Sequence, residues 1–503
     1  MDSTQLMYTL LIAFPLLIFI HRRSNPLYSI PAVGFSAPLL SYIGAYKFTR
    51  NARELLQEGY EKHKGSVFRV PMVDRWLIIF CGAKMNEELR KFPDDEMSFL
   101  DAAEEFVQPK YTIGVTEVVD NPIHISVIRG PLTRNLAVLL PGIMDEISVA
   151  MEELIPIKDN EWVTVPGLST MRQVITRTTS RVFVGFPFCR NKEYLDIAFN
   201  FTADVRKGRA IMTVTPTILK PLVGRLLPWS RRTIRRFSAM VKPAIEERIK
   251  QLEEHGRDWG DKPNNYMTWL VEEAMGAGKT VDSDLVMQAL LFSNFAAMHS
   301  SSTSITHALF TLAANPEHIH PLREEVESVI KTEGWTRIAL DKMWKLDSFM
   351  RESQRMNGVA CISIIRKALK DVTLSDGTVI PAGTIVGSAA DATHYDDESY
   401  NIPHDFKPYR FSNMRAKESD RIKHQYVSTS PEYIPFGHGK HACPGRFFVA
   451  NELKAVLAYI VLNYDVKFGG DGTRPSNHWF GILIVPDPTA EVMFRKRQPN
   501  TLV

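Results

Sequence analysis

Phe436-Gly-His-Gly-Lys-His-Ala-Cys-Pro-Gly445 runs directly into an apolar, helix-forming segment, Arg446-Phe-Phe-Val-Ala-Asn-Glu-Leu-Lys454. The pair reads as a loop that ends at a helix start. Three glycines in ten residues relax the backbone so that it can lie flat against a large group. Cys443 stands where the unpaired N–H groups of the following helix favour negative charge, which makes a thiolate plausible. An anionic sulfur in such a loop serves as nucleophile, as zinc ligand or as axial ligand to haem iron, where its electron push favours O–O cleavage. His438, His441 and Cys443 also form a His-x-x-His-x-Cys set of admissible zinc ligands, although no Cys-x-x-Cys partner stands elsewhere in the chain.

Working upstream from the loop, four more segments bear on the choice. Phe406-Lys-Pro-Tyr-Arg410-Phe411 is preceded by Glu352-Ser-Gln-Arg355, whose i, i+3 spacing puts acid and base on one helical face, an arrangement common to many helices. Between them lie Arg366 and the β-like run Val372 to Thr384. Leu285 to Ala314 carries neither glycine nor proline, has Ser283 or Asp284 as N-cap and Asn315-Pro316 as a stop, and predicts a helix of about 45 Å. Its middle, Phe295-Ala-Ala-Met-His299 followed by Ser300-Ser-Ser-Thr-Ser304, is small and hydroxyl-rich. Such a run lets a bulky group approach the backbone and competes with the i→i−4 ladder.

Together these segments resemble the cytochrome P450 family. Phe436, Gly439, His441, Cys443 and Gly445 match its haem loop, Glu352 and Arg355 its Glu-x-x-Arg helix, and Phe406 to Phe411 its Phe-x-Pro-x-Arg-Phe segment. The resemblance implies a mainly α fold, a large helical domain with a small β-rich portion, and haem b held between the long helix and the loop. Cys443 would be the axial thiolate, framed by Phe436 and Gly445. His441, Arg366 and Arg129 would hold propionates, and Glu352, Arg355 and Arg410 would support the loop. The chain departs from the family at two places. Ile125 stands where a tryptophan precedes the arginine by four, leaving adjacent His124 as the alternative donor, and His299 and Ser300 replace the acid and threonine of the proton relay. The implied reaction is monooxygenation of a hydrophobic small molecule, a terpenoid or other secondary metabolite of fungal type, with O₂ and electrons from an NADPH-dependent cytochrome P450 reductase. A haem-thiolate isomerase or dehydratase would share these motifs without needing the reductase, and a non-enzymatic zinc-binding membrane protein would lack haem.

The rest of the chain sets location. Leu6 to Ile20 is an apolar run stopped by His21-Arg22-Arg23, with no basic residue before it and no small-x-small cleavage site after it. It reads as an N-terminal membrane anchor over residues 1–23. The positive-inside rule then puts the remainder in the cytosol, on the endoplasmic reticulum membrane, and leaves the sequon Asn200-Phe-Thr202 on the unglycosylated side. Pro26, Pro31, Gly34 and Pro38 mark residues 24–50 as a proline-rich linker and entry segment ahead of a catalytic domain over 51–503. A helix over Ala52 to His63, a hairpin from Ser66 to Cys81, and helices broken at Pro141, Pro156, Pro187, Pro221 and Pro228 follow. Leu226-Leu-Pro-Trp229 with Arg231, Arg232, Arg235 and Arg236 combines apolar and basic character, as an interfacial contact requires. Gly276 to Thr280 imitates the end of a phosphate-binding loop, but Glu273 occupies the position of its first glycine. A formal net charge of +3 over 503 residues excludes the basic excess of a nucleic-acid binder. Four well-separated cysteines fit a reduced compartment.

Overall fold

The computed structural model describes residues 25–37, 40–113, 117–257, 259–276 and 281–497. The run Leu6 to Ile20, its basic stop and most of the phosphate-loop look-alike lie outside the described residues. Among the described residues, no helix is long and apolar enough to cross a membrane.

The labelled helices are α1 Leu40–His63, α2 Leu136–Leu154, α3 Gly167–Phe183, α4 Lys192–Val214, α5 Lys220–Leu226, α6 Pro228–His255, α7 Ser283–Ala314, α8 Trp344–Met356 and α9 Arg446–Asn463. The strands are β1 Val67–Pro71, β2 Trp76–Phe80, β3 Met97–Ser98, β4 Val163–Pro166, β5 Ile362–Ala368, β6 Ile385–Ala389, β7 Tyr464–Lys467 and β8 Glu491–Lys496. At the centre is α7, 32 residues long and packed against α3, α4, α6, α8 and α9. Because it is apolar on every side, with Val286, Leu290, Ile305, Leu309 and Phe310 buried, it has to be enclosed by other helices. Its cap is Asp282, one residue before the expected position, whose side chain accepts from the Asp284 N–H. The hydroxyl run does not break it, since Ser302 and Thr306 donate back to the carbonyls of Met298 and Ser302.

A smaller core lies beside α1, under a five-stranded sheet of order β1-β2-β6-β5-β3. The β1–β2 hairpin is antiparallel, but β2 continues the sheet by pairing in parallel with β6, Leu77 opposite Ile385 and Phe80 opposite Ser388. A second sheet of order β4-β8-β7 closes the other side. Two boundaries differ from the sequence reading. Residues 40–50, read as linker, are helical and join the predicted helix through non-helical Asn51. Tyr42, Ile43 and Tyr46 are apolar on the exposed face of α1 while Ala45 and Phe48 are buried, so no polar side marks the period there. Pro141, read as a break, lies inside α2 with its ring exposed, and the Ala137 carbonyl that loses its partner is exposed with it. Pro221 and Pro228 do punctuate the chain, each in the first turn of a helix, where the missing N–H costs nothing.

Candidate active site

The loop before α9 is built around its sulfur. Gly437 and Gly439 have φ of +71° and +77°, values that let the chain turn back so that the Cys443 N–H donates to the Phe436 carbonyl at 2.7 Å. Phe436 meets the edge of Tyr426 at 5.5 Å between centroids, fixing the loop against the helical core. A Cβ at position 445 would stand 4.0 Å from both the Cys443 Sγ and Ile128. Burial pushes the Cys443 thiol up, and the backbone N–H groups of Gly445 and Arg446, with the Arg446 guanidinium, pull it back. The sulfur therefore has the donors that a thiolate needs, and coordination to a metal deprotonates such a thiol outright.

Two backbone irregularities aim arginines at the same region. On β5 the register slips between Ser363 and Arg366, and Ile364, a buried β-branched residue, takes φ of +48°. A bulge of this kind redirects the side chains that follow it. Arg366 is thereby buried at 5% exposure, and among the described residues its guanidinium makes a single hydrogen bond, to the Ile365 carbonyl. Burial lowers its pKa to about 10, against the pull of Asp94. A buried cation with most donors unspent is suited to a carboxylate. The second irregularity is a π turn over Ile128–Leu132, which carries Arg129 to the Lys440 carbonyl at 3.0 Å. His124, five residues earlier, is buried against Phe292 of α7 at 5.2 Å, with its Nδ1 unpartnered and its pKa lowered by burial to about 4. His124 thus packs toward α7 and Arg129 reaches toward the loop.

Phe99 is shared by Arg366, whose guanidinium lies over the ring at 5.7 Å, and by His441, which stacks on it at 5.6 Å. The His441 Nε2 meets Asp94, which also binds Lys440. Burial lowers the His441 pKa, partly offset by Asp94. His438 turns instead to Thr429 and Glu87. The histidines therefore do not converge with Cys443, and among the described residues no three His, Cys, Asp or Glu side chains form a metal-binding group.

Glu352, Arg355 and Arg410 meet in the interior behind the loop. Both carboxylate oxygens of Glu352 accept from Arg355 at 2.8 Å and from Arg410 at 3.0 and 3.1 Å, and one also accepts from the Lys407 N–H. Arg355 donates on to the His394 carbonyl, and the Nε2 of His394 accepts from the Ile434 N–H, two residues before Phe436. The triad is in this way tied to the segment that enters the loop.

On α7, Ser300 donates to the Ala296 carbonyl at 3.2 Å, and Ala296 is exposed although it lies midway along a central helix. One turn on, Ser304 contacts Tyr426, the residue packed on Phe436, so the Ala296, Ser300 and Ser304 face looks toward the loop. His299 is turned away, into a pocket between α3 and α4. Asp94, Phe99, Tyr426 and Ser304 were not found from sequence. Only Ser304 carried a signal, its i, i+4 spacing from Ser300; the others depend on contacts across long stretches of chain.

A half-buried sulfur with two N–H groups aimed at it, an unspent buried arginine, a second arginine at the rim and a bare helix face opposite fit a thiolate-ligated haem. The comparisons agree. The Cytochrome P450 family model matches residues 31–494. Cytochrome P450 monooxygenase 103 of Postia placenta is 62% identical over 501 residues, 99% of each chain. Ent-kaurene oxidase of Gibberella intermedia is 31% identical over 99% of this chain and 94% of its own. The solved structure of retinoic acid-bound cyanobacterial CYP120A1 superposes with a TM-score of 0.70 at 17% identity, covering 93% of this chain and 99% of that one. With its cysteine loop, its buried triad and a family match over nearly its whole length, the chain belongs to the cytochrome P450 family, as a haem b monooxygenase.

Proposed function

We propose that this monooxygenase oxidises a terpenoid or related hydrophobic secondary metabolite at the endoplasmic reticulum membrane, with electrons from a membrane-bound, NADPH-dependent cytochrome P450 reductase. The observation that carries the reading is the bare Ala296 to Ser300 face of α7, flanked by Phe292 and Phe295, which offers an apolar approach to the cysteine loop. The similarity to an ent-kaurene oxidase, a name that denotes a diterpene substrate, supports the terpenoid class. When bound, thiolate-ligated haem supplies oxygen activation. Cys443 would donate its sulfur to the iron, and Arg366, His441 and Arg129 would meet the propionates. Phe436 and Gly445 would keep the loop close to the ring, while Glu352, Arg355 and Arg410 would hold the segment that enters the loop.

Proton delivery falls to Ser300 and His299. A serine hydroxyl donates and accepts at one atom, which suits it to the face toward the loop. His299, which lines a pocket between α3 and α4, would collect protons from that side. Membrane contact would rest on the turn Thr217–Leu219 and on α5 after it, where Ile218, Leu219, Leu222 and Leu226 are exposed, and on the basic Arg231, Arg232 and Arg235 that follow. Incubating membranes that contain the protein and reductase with a panel of terpenes, plus NADPH, should give a product heavier by one oxygen atom. Oxidation confined to fatty acids or simple aromatics would overturn the substrate class.

A further inference from the structure

The pocket into which His299 turns holds two arginines that proton delivery alone does not require. It has a volume of about 60 Å³ and lies between α3, α4 and α7, with Arg172, Thr176, Asn200, Arg206 and Ser302 among its lining residues. Two guanidinium groups and an imidazole share it, and no carboxylate lines it. Among the described residues neither Arg172 nor Arg206 has an ion pair or a side-chain hydrogen bond, and the Arg172 Nε is buried without a partner. The nearest acids on α4 are used elsewhere: Asp196 accepts from Asn200 and faces Arg236, and Asp204 accepts from Thr233. The Thr176 and Ser302 hydroxyls donate to backbone carbonyls, which leaves their lone pairs and not their protons toward the space. Burying a guanidinium donor unpaired is costly, and like charges facing one another add to that cost.

We propose that Arg172 and Arg206 form a receptor for a small oxyanion, a carboxylate or phosphate group, and that its occupancy decides whether His299 carries a proton. Guanidinium groups match planar or tetrahedral oxyanions through paired N–H donors, and this one would supply the charge that the pocket lacks. Burial, Arg172 and Arg206 together lower the His299 pKa to about 4, so the ring is neutral near neutral pH. An anion between the arginines removes that repulsion and adds an attraction, raising the pKa. By linkage, protonation of His299 tightens the anion in return, so affinity rises as pH falls. Because His299 adjoins Ser300, the bound anion would govern proton supply to the site; that consequence, unlike the binding itself, rests on the role proposed above for Ser300.

Calorimetric titration of the haem-loaded protein with sodium formate tests this, at matched ionic strength, about pH 7, in two buffers of different ionisation enthalpy. Formate does not titrate there, so any buffer dependence of the heat reports protons taken up by the protein. Saturable binding with proton uptake is expected. R172Q and R206Q should each weaken it about ten- to hundredfold, the loss of a charge-assisted hydrogen bond, and R172K should weaken it less. H299Q should still bind formate but lose the buffer dependence. Repeating the titration with inorganic phosphate tells which oxyanion shape the site prefers. Absence of saturable binding, or unchanged affinity in both glutamine variants, would overturn the receptor; buffer-independent heats in the native protein would overturn the link to His299. Arg206 is exposed, so its variant reports even if R172Q folds poorly. The reduced carbon monoxide spectrum, which reads thiolate ligation alone, separates failure of this inference from failure of the haem assignment.

Discussion

Cys443 answers two opposed demands, partial burial that raises its thiol pKa and backbone donors that favour its anionic sulfur. Cys443→Ala removes the sulfur and leaves the fold around it. We therefore expect a haem content that falls only in part, loss of the thiolate-type shift in the reduced carbon monoxide spectrum, and no oxidised product. A normal spectrum would contradict the assignment. Ser300→Ala is expected to keep the haem and substrate-binding spectra while product per NADPH falls and peroxide rises, with Ser300→Thr close to the native protein. Unchanged coupling in the alanine variant would leave proton delivery to His299 or to water. Nine residues past Cys443, Glu452 is fully buried on α9 with its Oε1 accepting from Thr178 and Thr179 and its Oε2 unpartnered. Burial raises its pKa to about 7. The native state then holds a proton that the unfolded chain has already lost, so this group's contribution to stability falls as pH rises from about 4.5 to 7 and is level above. Glu452→Gln should gain on the native protein across that interval, by up to about 3 kcal/mol, as read by denaturant melts at several pH values; a pH-independent difference would refute it. Cys443 was legible because five loop positions are specified at once. Asp94 and Phe99 were not, because nothing near residue 94 in sequence announces residue 441.

The elements that aim side chains do so through their irregularities. A regular β5 would present Arg366 on a face set by alternation, and a regular helix through Arg129 would rotate that side chain away from Lys440. Neither the bulge nor the π turn has a composition signature, since Ile364 is an ordinary strand residue and Gly130-Pro131 reads simply as a break. This is why Arg366 and Arg129 were identifiable as candidates while the way each is delivered was not. The triad was legible as spacing, but its energy depends on burial that spacing does not reveal. Glu352→Gln removes the one negative charge between two arginines, and leaving a buried cation unpaired costs about 3–5 kcal/mol. We expect a lower thermal midpoint and a smaller haem-loaded fraction, both restored little by excess haem. A variant as stable as the native protein would show that the backbone carbonyls of His394 and Asn401 suffice for Arg355 and Arg410.

For the whole molecule, the exposed apolar surface is uneven. Ile218, in the turn before α5, is 86% exposed and Leu226, at its end, 69%, with exposed arginines following, while Leu227 is buried. The sequence reading centred the surface contact on Leu226 to Trp229, because a linear run shows composition and not which side faces out. If α5 rests on the bilayer, protein lacking residues 1–24 should still bind vesicles of anionic lipid, more weakly at high salt, and Ile218→Glu with Leu226→Glu should release it. Full solubility of the truncated protein at low salt would exclude that contact. The overall architecture was legible in its second half, where motifs follow one another, and less so across the sheet, whose middle strands lie far apart in the chain. The parallel pairing of β2 with β6 has a consequence for synthesis. About 300 residues separate Leu77 from Ile385, so a ribosome adding roughly 5–20 residues per second needs about 15–60 s to deliver the partner strand. For that interval Leu77-Ile-Ile-Phe80, fully enclosed in the finished protein, has an open edge in the nascent chain. The time for which a chaperone must guard it is set by translation, not by the speed of folding.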